Sequence, residues 1–311
     1  MRQIIGVGET ILDIIFKNNQ PSHAIPGGSV FNTMVSLGRL NVPATFLSEI
    51  GDDRIGKIIM EYMEENNLST ENMNLFGRGK SPVSLAFLNE NNEASYLFYT
   101  DFPDNRLDIR YPRINENDIF IFGSYFAVNP LLRDRMVELL EYAKDRKAII
   151  YYDPNFRKAH AHEAMKIIPS VLENLEYADI VKGSSEDFEN LFHLSDATRI
   201  YKDKIEFYCP NFIYTQGSGP VNLFTRTIRK SFDCHPVEVV SSIGAGDSFN
   251  AGILFGLLKQ EVTHENLSDL SSETWGKIIE YGMTLSAQVC QTYENAVPQD
   301  FARRYAQEIT D

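Results

Sequence analysis

Ser241-Ser242-Ile243-Gly244-Ala245-Gly246-Asp247-Ser248-Phe249 stands between a run of β type, Pro236-Val237-Glu238-Val239-Val240, and a helical one, Phe249 to Leu258, whose apolar residues recur at helical spacing. Glycines where a helix begins let the backbone turn tightly, and the first N–H groups of that helix have no partner inside it. With the positive end of the helix dipole they make a pocket that suits an anion. A carboxylate beside a static anion site would repel its ligand, so Asp247 makes better sense as a proton acceptor. Phosphoryl transfer uses this pair of features: a carboxylate takes the proton of the attacking hydroxyl while N–H dipoles hold the charge on the transferring group. An ordinary helix start, with glycine near the cap and an acid in the first turn, has the same residues, and the short stretch alone does not separate the two.

At the other end of the chain, Gln3-Ile4-Ile5-Gly6-Val7-Gly8 reads as a buried strand. A dinucleotide fingerprint would need a third glycine and a helix at once, but Ile11 stands in that place and Leu12 to Phe16 reads as another strand, which excludes a dehydrogenase. Asp13 is a lone acid in that strand, ordinarily a solvent-facing position on an amphipathic ribbon. Pro26-Gly27-Gly28-Ser29-Val30-Phe31-Asn32 then opens an amphipathic helix through Leu40. Its glycines permit close backbone approach to a ligand, and Asn32 can both donate to and accept from hydroxyls; a tight turn followed by a surface asparagine is the alternative. Gly77-Arg78-Gly79-Lys80-Ser81 looks superficially like a P-loop, but the glycine required at position 74 is Asn74, and Pro82 blocks the helix that should follow. Val83 to Asn89 and Ala94 to Tyr99 read instead as a hairpin across Glu90-Asn91-Asn92-Glu93. Both of its faces are apolar, so one is expected to cover a ligand and the other to meet a second copy of the chain.

From Asp118 the chain alternates: strand Ile119 to Phe122, helix Leu131 to Lys144, strand Ala148 to Tyr152, helix Glu163 to Leu175, strand Ile180-Val181. Such alternation predicts parallel β-α-β units with right-handed crossovers, and ligands collect at the C-terminal ends of the strands. At those ends stand Asp153-Pro154-Asn155-Phe156-Arg157, Lys182-Gly183-Ser184-Ser185-Glu186-Asp187 and Thr215-Gln216-Gly217. Arg157 offers a bidentate fork to a phosphate or an acidic group, or is simply a surface arginine on the first turn of a helix. Ser184 with Asp187 three residues on is a capping arrangement, which is compatible with a ligand role. His160 and His162, two apart on an expected helix, point away from each other and do not suggest a metal site.

The 311 residues, 43% of them hydrophobic, can bury the core of one large domain. A formal charge of -14 argues against nucleic acid or an anionic membrane as the main partner, though not against a nucleotide held by local N–H donors and Mg²⁺. Cys209, Cys234 and Cys290 are odd in number and widely spaced, which fits reduced thiols in a cytosol rather than disulfides or zinc. No apolar run approaches a membrane span, and Met1-Arg2-Gln3-Ile4 opens directly into a strand; the expected location is the cytoplasm.

The Gly244-Ala245-Gly246-Asp247 core, with Ala251-Gly252 following, closely resembles the second signature of the ribokinase-like (PfkB) sugar kinases, D-T-x-G-A-G-D with a later A-G. Gly27-Gly28 with Asn32 is similar to that family's first signature, Gly51-Asp53-Gly56 to its G-x-D-x-x-G turn, and Asp153-Pro154-Asn155-Phe156-Arg157 to the D-P-N-x-R of fructokinases and 2-keto-3-deoxygluconate kinases. The resemblance runs from Gly8 to Pro298 with the motifs in family order. It implies a doubly wound α/β domain spanning 1–311, with a small β lid from about 10–25 and 83–100, that uses ATP and Mg²⁺. Asp247 would then be the catalytic base, and the N–H groups of Gly244, Ala245 and Gly246 would hold the γ-phosphoryl group. Asp13, Gly27, Gly28, Asn32 and Arg157 would hold the acceptor, Lys182, Ser184, Thr215 and Gly217 the nucleotide side, and Asp187 would act on Mg²⁺ through water. Ser241 and Ser242 depart from the leading Asp and Thr, and Asn295 from the glycine of the G-A-x-P region; that Asp helps hold a monovalent cation in the family, so potassium activation is in doubt here. The expected reaction is phosphorylation of a primary hydroxyl of a free sugar, with fructose first and 2-keto-3-deoxygluconate, ribose or a nucleoside as alternatives, by a homodimer joined through the lid. The rival from another class is a non-catalytic sugar or nucleotide sensor, against which the intact Asp247 and glycine turn speak.

Overall fold

Ile119 and Ile121 pack on one side of their strand and Phe120 and Phe122 on the other, all four fully buried. A strand apolar on both faces needs cover on both, and helices supply it. The computed structural model describes residues 2–88 and 94–308. In chain order its elements begin β1 (Ile4–Val7), β2 (Ile11–Lys17), β3 (Gln20–Gly27), α1 (Ser29–Arg39), β4 (Ala44–Gly51), α2 (Arg54–Glu65), β5 (Met73–Phe76), β6 (Lys80–Leu88), β7 (Ala94–Asp101) and β8 (Ile119–Gly123). They continue α3 (Arg133–Asp145), β9 (Ile149–Asp153), α4 (Ala164–Tyr177), β10 (Ile180–Ser184), α5 (Ser185–Phe192), α6 (Ala197–Ile200), β11 (Asn211–Thr215), β12 (Val221–Phe224), β13 (Arg229–Phe232), α7 (Ala245–Lys259), α8 (Ser272–Cys290) and α9 (Gln299–Glu308).

One sheet runs in the order β13-β12-β11-β10-β9-β8-β1-β4-β5. It is parallel from β5 to β11 and antiparallel over β12 and β13. Strand order reverses direction at β1, where the chain first winds outward through β4 and later through β8, and this is where a doubly wound sheet opens a crevice. Residues of α1, α7 and α8 such as Met34, Ile253 and Ile278 join one core, and residues of α3 and α5 such as Met136 and Phe188 join the other. The Ala251-Gly252 pair has a packing reason. A Cβ on Gly252 would stand 2.3 Å from Tyr281 O, so this glycine lets α7 and α8 cross at backbone contact.

The second sheet is small, in the order β3-β2-β6-β7. Its register puts Asp13 beside Ser84 and Ser84 beside Phe98 on one face, and Ile14 beside Leu85 and Leu85 beside Leu97 on the other. Ser84 and Ala86 are fully buried and Ile15 nearly so, which marks the Asp13 face as the one turned to the large sheet. The expected connection over Glu90–Glu93 lies outside the described residues. Ser81, from the false P-loop, joins the two sheets: its Oγ accepts from Gly51 N (3.0 Å) and donates to Asp53 Oδ1 (2.8 Å), while its N donates to Asp53 Oδ2 (2.9 Å). Asp53 also caps α2 through Gly56 N, so the G-x-D-x-x-G stretch is a joint between sheets.

Three expectations are corrected. Pro236–Val240 is not a strand; Val240 N donates to Cys290 O at 2.8 Å, and Val239 stays exposed, so the segment lies across the end of α8 instead of in a ladder. The helix expected from Leu131 starts at Arg133, because Asn129 Oδ1 takes Leu131 N into a preceding turn. His160 and His162 sit on a 3₁₀ turn, and both approach Glu163 Oε1, at 3.7 and 3.8 Å, instead of diverging. Among the described residues no helix is long and apolar enough to cross a membrane.

Candidate active site

Gly244 takes φ 75° and caps α7; a Cβ there would meet Asn295 O at 2.1 Å, so only glycine fits. The turn behaves in part as expected. Ala245 N–H closes back onto Ser242 O at 3.3 Å, which leaves the N–H groups of Gly246 and Asp247 as first-turn donors without intrahelical acceptors. Asp247 is buried in that first turn. Its Oδ1 accepts from Ser29 Oγ (3.0 Å), its Oδ2 from Asn32 Nδ2 (2.8 Å) and its carbonyl from Thr33 Oγ1 (3.0 Å). The head of α7 and the head of α1, 218 positions apart in sequence at their first contact, are thus joined through one carboxylate. Burial pushes the Asp247 carboxyl up to about 6, with Asp153 adding to the rise and Asn32, Arg157 and Ser29 opposing it.

Asn32 is expected to face the acceptor, and the structure gives it a second task, holding the Asp247 carboxylate. The Asn32 Oδ1 is buried without a partner, an acceptor open to a hydroxyl donor. Asp13 lies at the other side of the same turn. Its Oδ1 accepts from Ser84 Oγ, and a Cβ on Gly27 would stand 2.5 Å from its Oδ2. Burial pushes its carboxyl up to about 6 as well, opposed by Ser84 and helped by Glu9. Gly28, at φ 135°, admits no side chain because Glu9 O would lie 2.2 Å from its Cβ. Asp13, Gly27, Gly28, Asn32 and Asp247 are therefore brought together, with two carboxylates flanking one glycine turn.

Beneath the α7 turn lies a buried polar chain that sequence reasoning assigned only in part. Lys182 Nζ donates to Asp153 Oδ2 (3.0 Å), Asn250 Nδ2 donates to the same oxygen (2.6 Å), and Tyr151 OH donates to Asn250 Oδ1 (2.9 Å). Lys182 Nζ is 3.5 Å from where a Gly246 Cβ would be, so its charge stands directly under the anion turn. Desolvation would lower the Lys182 pKa, but Asp153, Asp187 and Asp247 together raise it and keep it cationic. Asp153, Tyr151, Asn250 and Ser29 were missed; the signal available was their place, at a strand end or one turn from a named motif residue.

Asp187 completes a capping box with Ser184, its Oδ2 accepting from Ser184 N (2.6 Å) and Oγ (2.7 Å), and its Oδ1 accepts from Phe156 N (2.6 Å). It braces the turn before Arg157, and of its roughly four acceptor sites one remains on Oδ1. Burial, then Asp153, raise its pKa. Arg157 is 61% exposed and has a long 3.9 Å contact with Glu186, so its fork is open to a ligand. Ser184 and Thr215 are register partners at adjacent strand ends, and Gly217 beyond them takes φ 60°.

Among the described residues no three His, Cys, Asp or Glu side chains converge to hold a metal. A Mg²⁺ ion fits here as one carried on phosphates beside a single carboxylate, which is its common manner of binding. At the Ser241 turn a neutral hydroxyl stands where a carboxylate would favour a monovalent cation. Ser241 Oγ accepts from Ile243 N (3.2 Å), Cys290 O already accepts from Val240 N and Ser241 N (2.8 and 3.2 Å), and Asn295 presents an Nδ2 donor to Pro26 O (2.9 Å).

The family model for pfkB family carbohydrate kinases matches residues 1–300. Probable fructokinase-2 of Arabidopsis thaliana is 24% identical over 95% of this chain and 92% of its own, and a fructokinase of Rhizobium leguminosarum bv. trifolii is 27% identical over 82% and 79%. Among solved structures, a fructokinase double mutant of Vibrio cholerae O395 in a fructose-, ADP- and potassium-bound form superposes with a TM-score of 0.83 at 19% identity, covering 98% of each chain. Aminoimidazole riboside kinase of Salmonella enterica, complexed with aminoimidazole riboside and an ATP analog, superposes with a TM-score of 0.79 at 20% identity, over 98% of this chain and 100% of that one. At these identities the structural likeness establishes the fold.

Proposed function

The chain belongs to the pfkB family of carbohydrate kinases, and on that premise we propose that it transfers the γ-phosphoryl group of ATP to a primary hydroxyl of free fructose. The observation that carries this reading is the Asp247 carboxylate, buried at the head of α7 and held by Ser29 and Asn32 beside the Gly27–Gly28 turn. A hydroxyl seated over that turn loses its proton to Asp247 as its oxygen bonds to phosphorus, and the bond between γ-phosphorus and the bridging oxygen breaks to leave ADP. A base whose carboxyl sits near 6 is mostly ionised at neutral pH yet still basic enough to help.

Gly244 and Gly246 N–H groups, Asp247 N–H and Lys182 surround the charge that develops on the transferring group. Asp187, through its last acceptor site and a water, would help hold the Mg²⁺ carried with ATP, which would supply charge screening for the phosphates. Asp13 and the open Asn32 Oδ1 take sugar hydroxyls, Arg157 closes over the acceptor or its product phosphate, and Ser184, Thr215 and Gly217 line the nucleotide side. The small sheet serves as the lid, and its outer face as the contact between two copies. Fructose is preferred because curated relatives over most of the chain are fructokinases. The setting we propose is the cytoplasm.

The test is ADP release with MgATP across fructose, ribose, 2-keto-3-deoxygluconate, adenosine and fructose 1-phosphate. The reading expects fructose to give the highest kcat/KM. A different best acceptor would reassign the substrate, and ligand binding with no turnover on any of them would move the protein to the sensor class.

A further inference from the structure

Two glycine turns build the site, and one residue from a third segment touches both. Asn295 Nδ2 donates to Pro26 O at 2.9 Å, directly before Gly27–Gly28. The carbonyl of the same residue lies so close to Gly244 that a Cβ there would be 2.1 Å away. Asn295 is 4% exposed and its φ is outside the left-handed region, so its backbone does not require glycine. The segment that carries it is fixed on both sides. Arg39, from α1, donates to Glu294 Oε2 (2.5 Å) and to Val297 O (2.8 Å), and Ser36 Oγ accepts from Val297 N (3.1 Å).

We propose that Asn295 is a positioning residue that sets the acceptor turn at Gly27–Gly28 against the phosphate turn at Gly244, by a neutral hydrogen bond in place of a bound alkali cation. The inference rests on the kinase reading. Its force is geometric: a misplacement of about 1 Å between reacting groups costs on the order of 100-fold in rate. A donor amide meets the Pro26 carbonyl, and Ser241 brings a neutral hydroxyl bonded within its own turn, so neither contributes the negative charge that favours a hard cation.

Asn295→Ala removes the amide, and Asn295→Asp puts a carboxylate against the Pro26 carbonyl. For Asn295→Ala we expect kcat with the sugar to fall by about 10- to 100-fold, with KM for ATP little changed and faster deuterium uptake over Pro26–Asn32. Asn295→Asp should be the slower of the two; if it does not fold, Asn295→Ser, which keeps a donor on a shorter arm, should fall between Asn295→Ala and the parent. Parent rates in potassium, sodium and choline chloride at equal ionic strength should agree within about twofold. A folded Asn295→Ala with parental kcat, an Asn295→Asp equal to the parent, or saturable potassium activation of the parent would overturn the proposal. If the parent phosphorylates no acceptor, it is the kinase reading that fails, and deuterium uptake then decides alone: unchanged uptake over Pro26–Asn32 in Asn295→Ala overturns the clamp, and faster uptake sustains it.

Discussion

Asp247, buried, and Asp13, half-buried, are carboxylates on either side of one glycine turn, each raised to about 6 chiefly by loss of water. Below that value Asp247 is protonated and cannot accept the hydroxyl proton, so kcat/KM should fall about tenfold per pH unit on the acid side, with a midpoint near 6. The stability sign is the opposite of a salt-bridged acid's. Between the ordinary value of 3.8 and about 6 the folded chain holds more protons than the unfolded one, so the contribution of these two groups to stability is lost as pH rises through that window. Urea midpoints at pH 5 and 7 should therefore converge in Asp13→Asn relative to the parent; an unchanged difference would contradict the raised carboxyl. The place of Asp247 in the first turn of a helix was legible in sequence because the glycines beside it mark the turn that opens α7. Its ties to Ser29 and Asn32 were not, since they join positions more than 200 residues apart.

Elements meet at this site through backbone contact and buried charge. Gly252→Ala would drive a methyl group into Tyr281 O, and we expect it to destabilise the α7–α8 pair by about 1–3 kcal/mol, read as a lower urea midpoint. Lys182→Met would leave Asp153 buried without its cation and should cost about 3–5 kcal/mol; Lys182→Met with Asp153→Asn should recover part of that loss, which a double-mutant cycle measures. The alternation of β8 through β10 was legible because their apolar runs and helical spacings repeat. Pro236–Val240 has the composition of a strand, and what decides against it is an α8 carbonyl that no local pattern announces. The G-x-D-x-x-G turn was likewise visible as a turn, but its bond to Ser81 belongs to the packing of two sheets.

At the scale of the molecule, two sheets meet over the strand ends, as the alternation of apolar runs anticipated for the larger and the hairpin for the smaller. The antiparallel edge, β12 and β13, was not legible as an edge, since pairing order is set by the whole sheet. Leu97 and Tyr99 lie on one face of β7 and are 52% and 59% exposed, opposite Leu85 and Val83. Apolar surface of this kind marks an interaction face. If two copies meet there, Leu97→Glu with Tyr99→Glu should convert a dimer into a monomer in sedimentation; a parent that is monomeric at micromolar concentration would contradict that assembly. The central claim concerns transfer itself, and the most direct test is ADP release from MgATP with and without fructose, in the parent and in Asp247→Asn side by side. The account predicts sugar-dependent release by the parent and a loss of about 10²- to 10⁴-fold in kcat for the variant, with sugar binding retained. Parental turnover in a folded Asp247→Asn would contradict it.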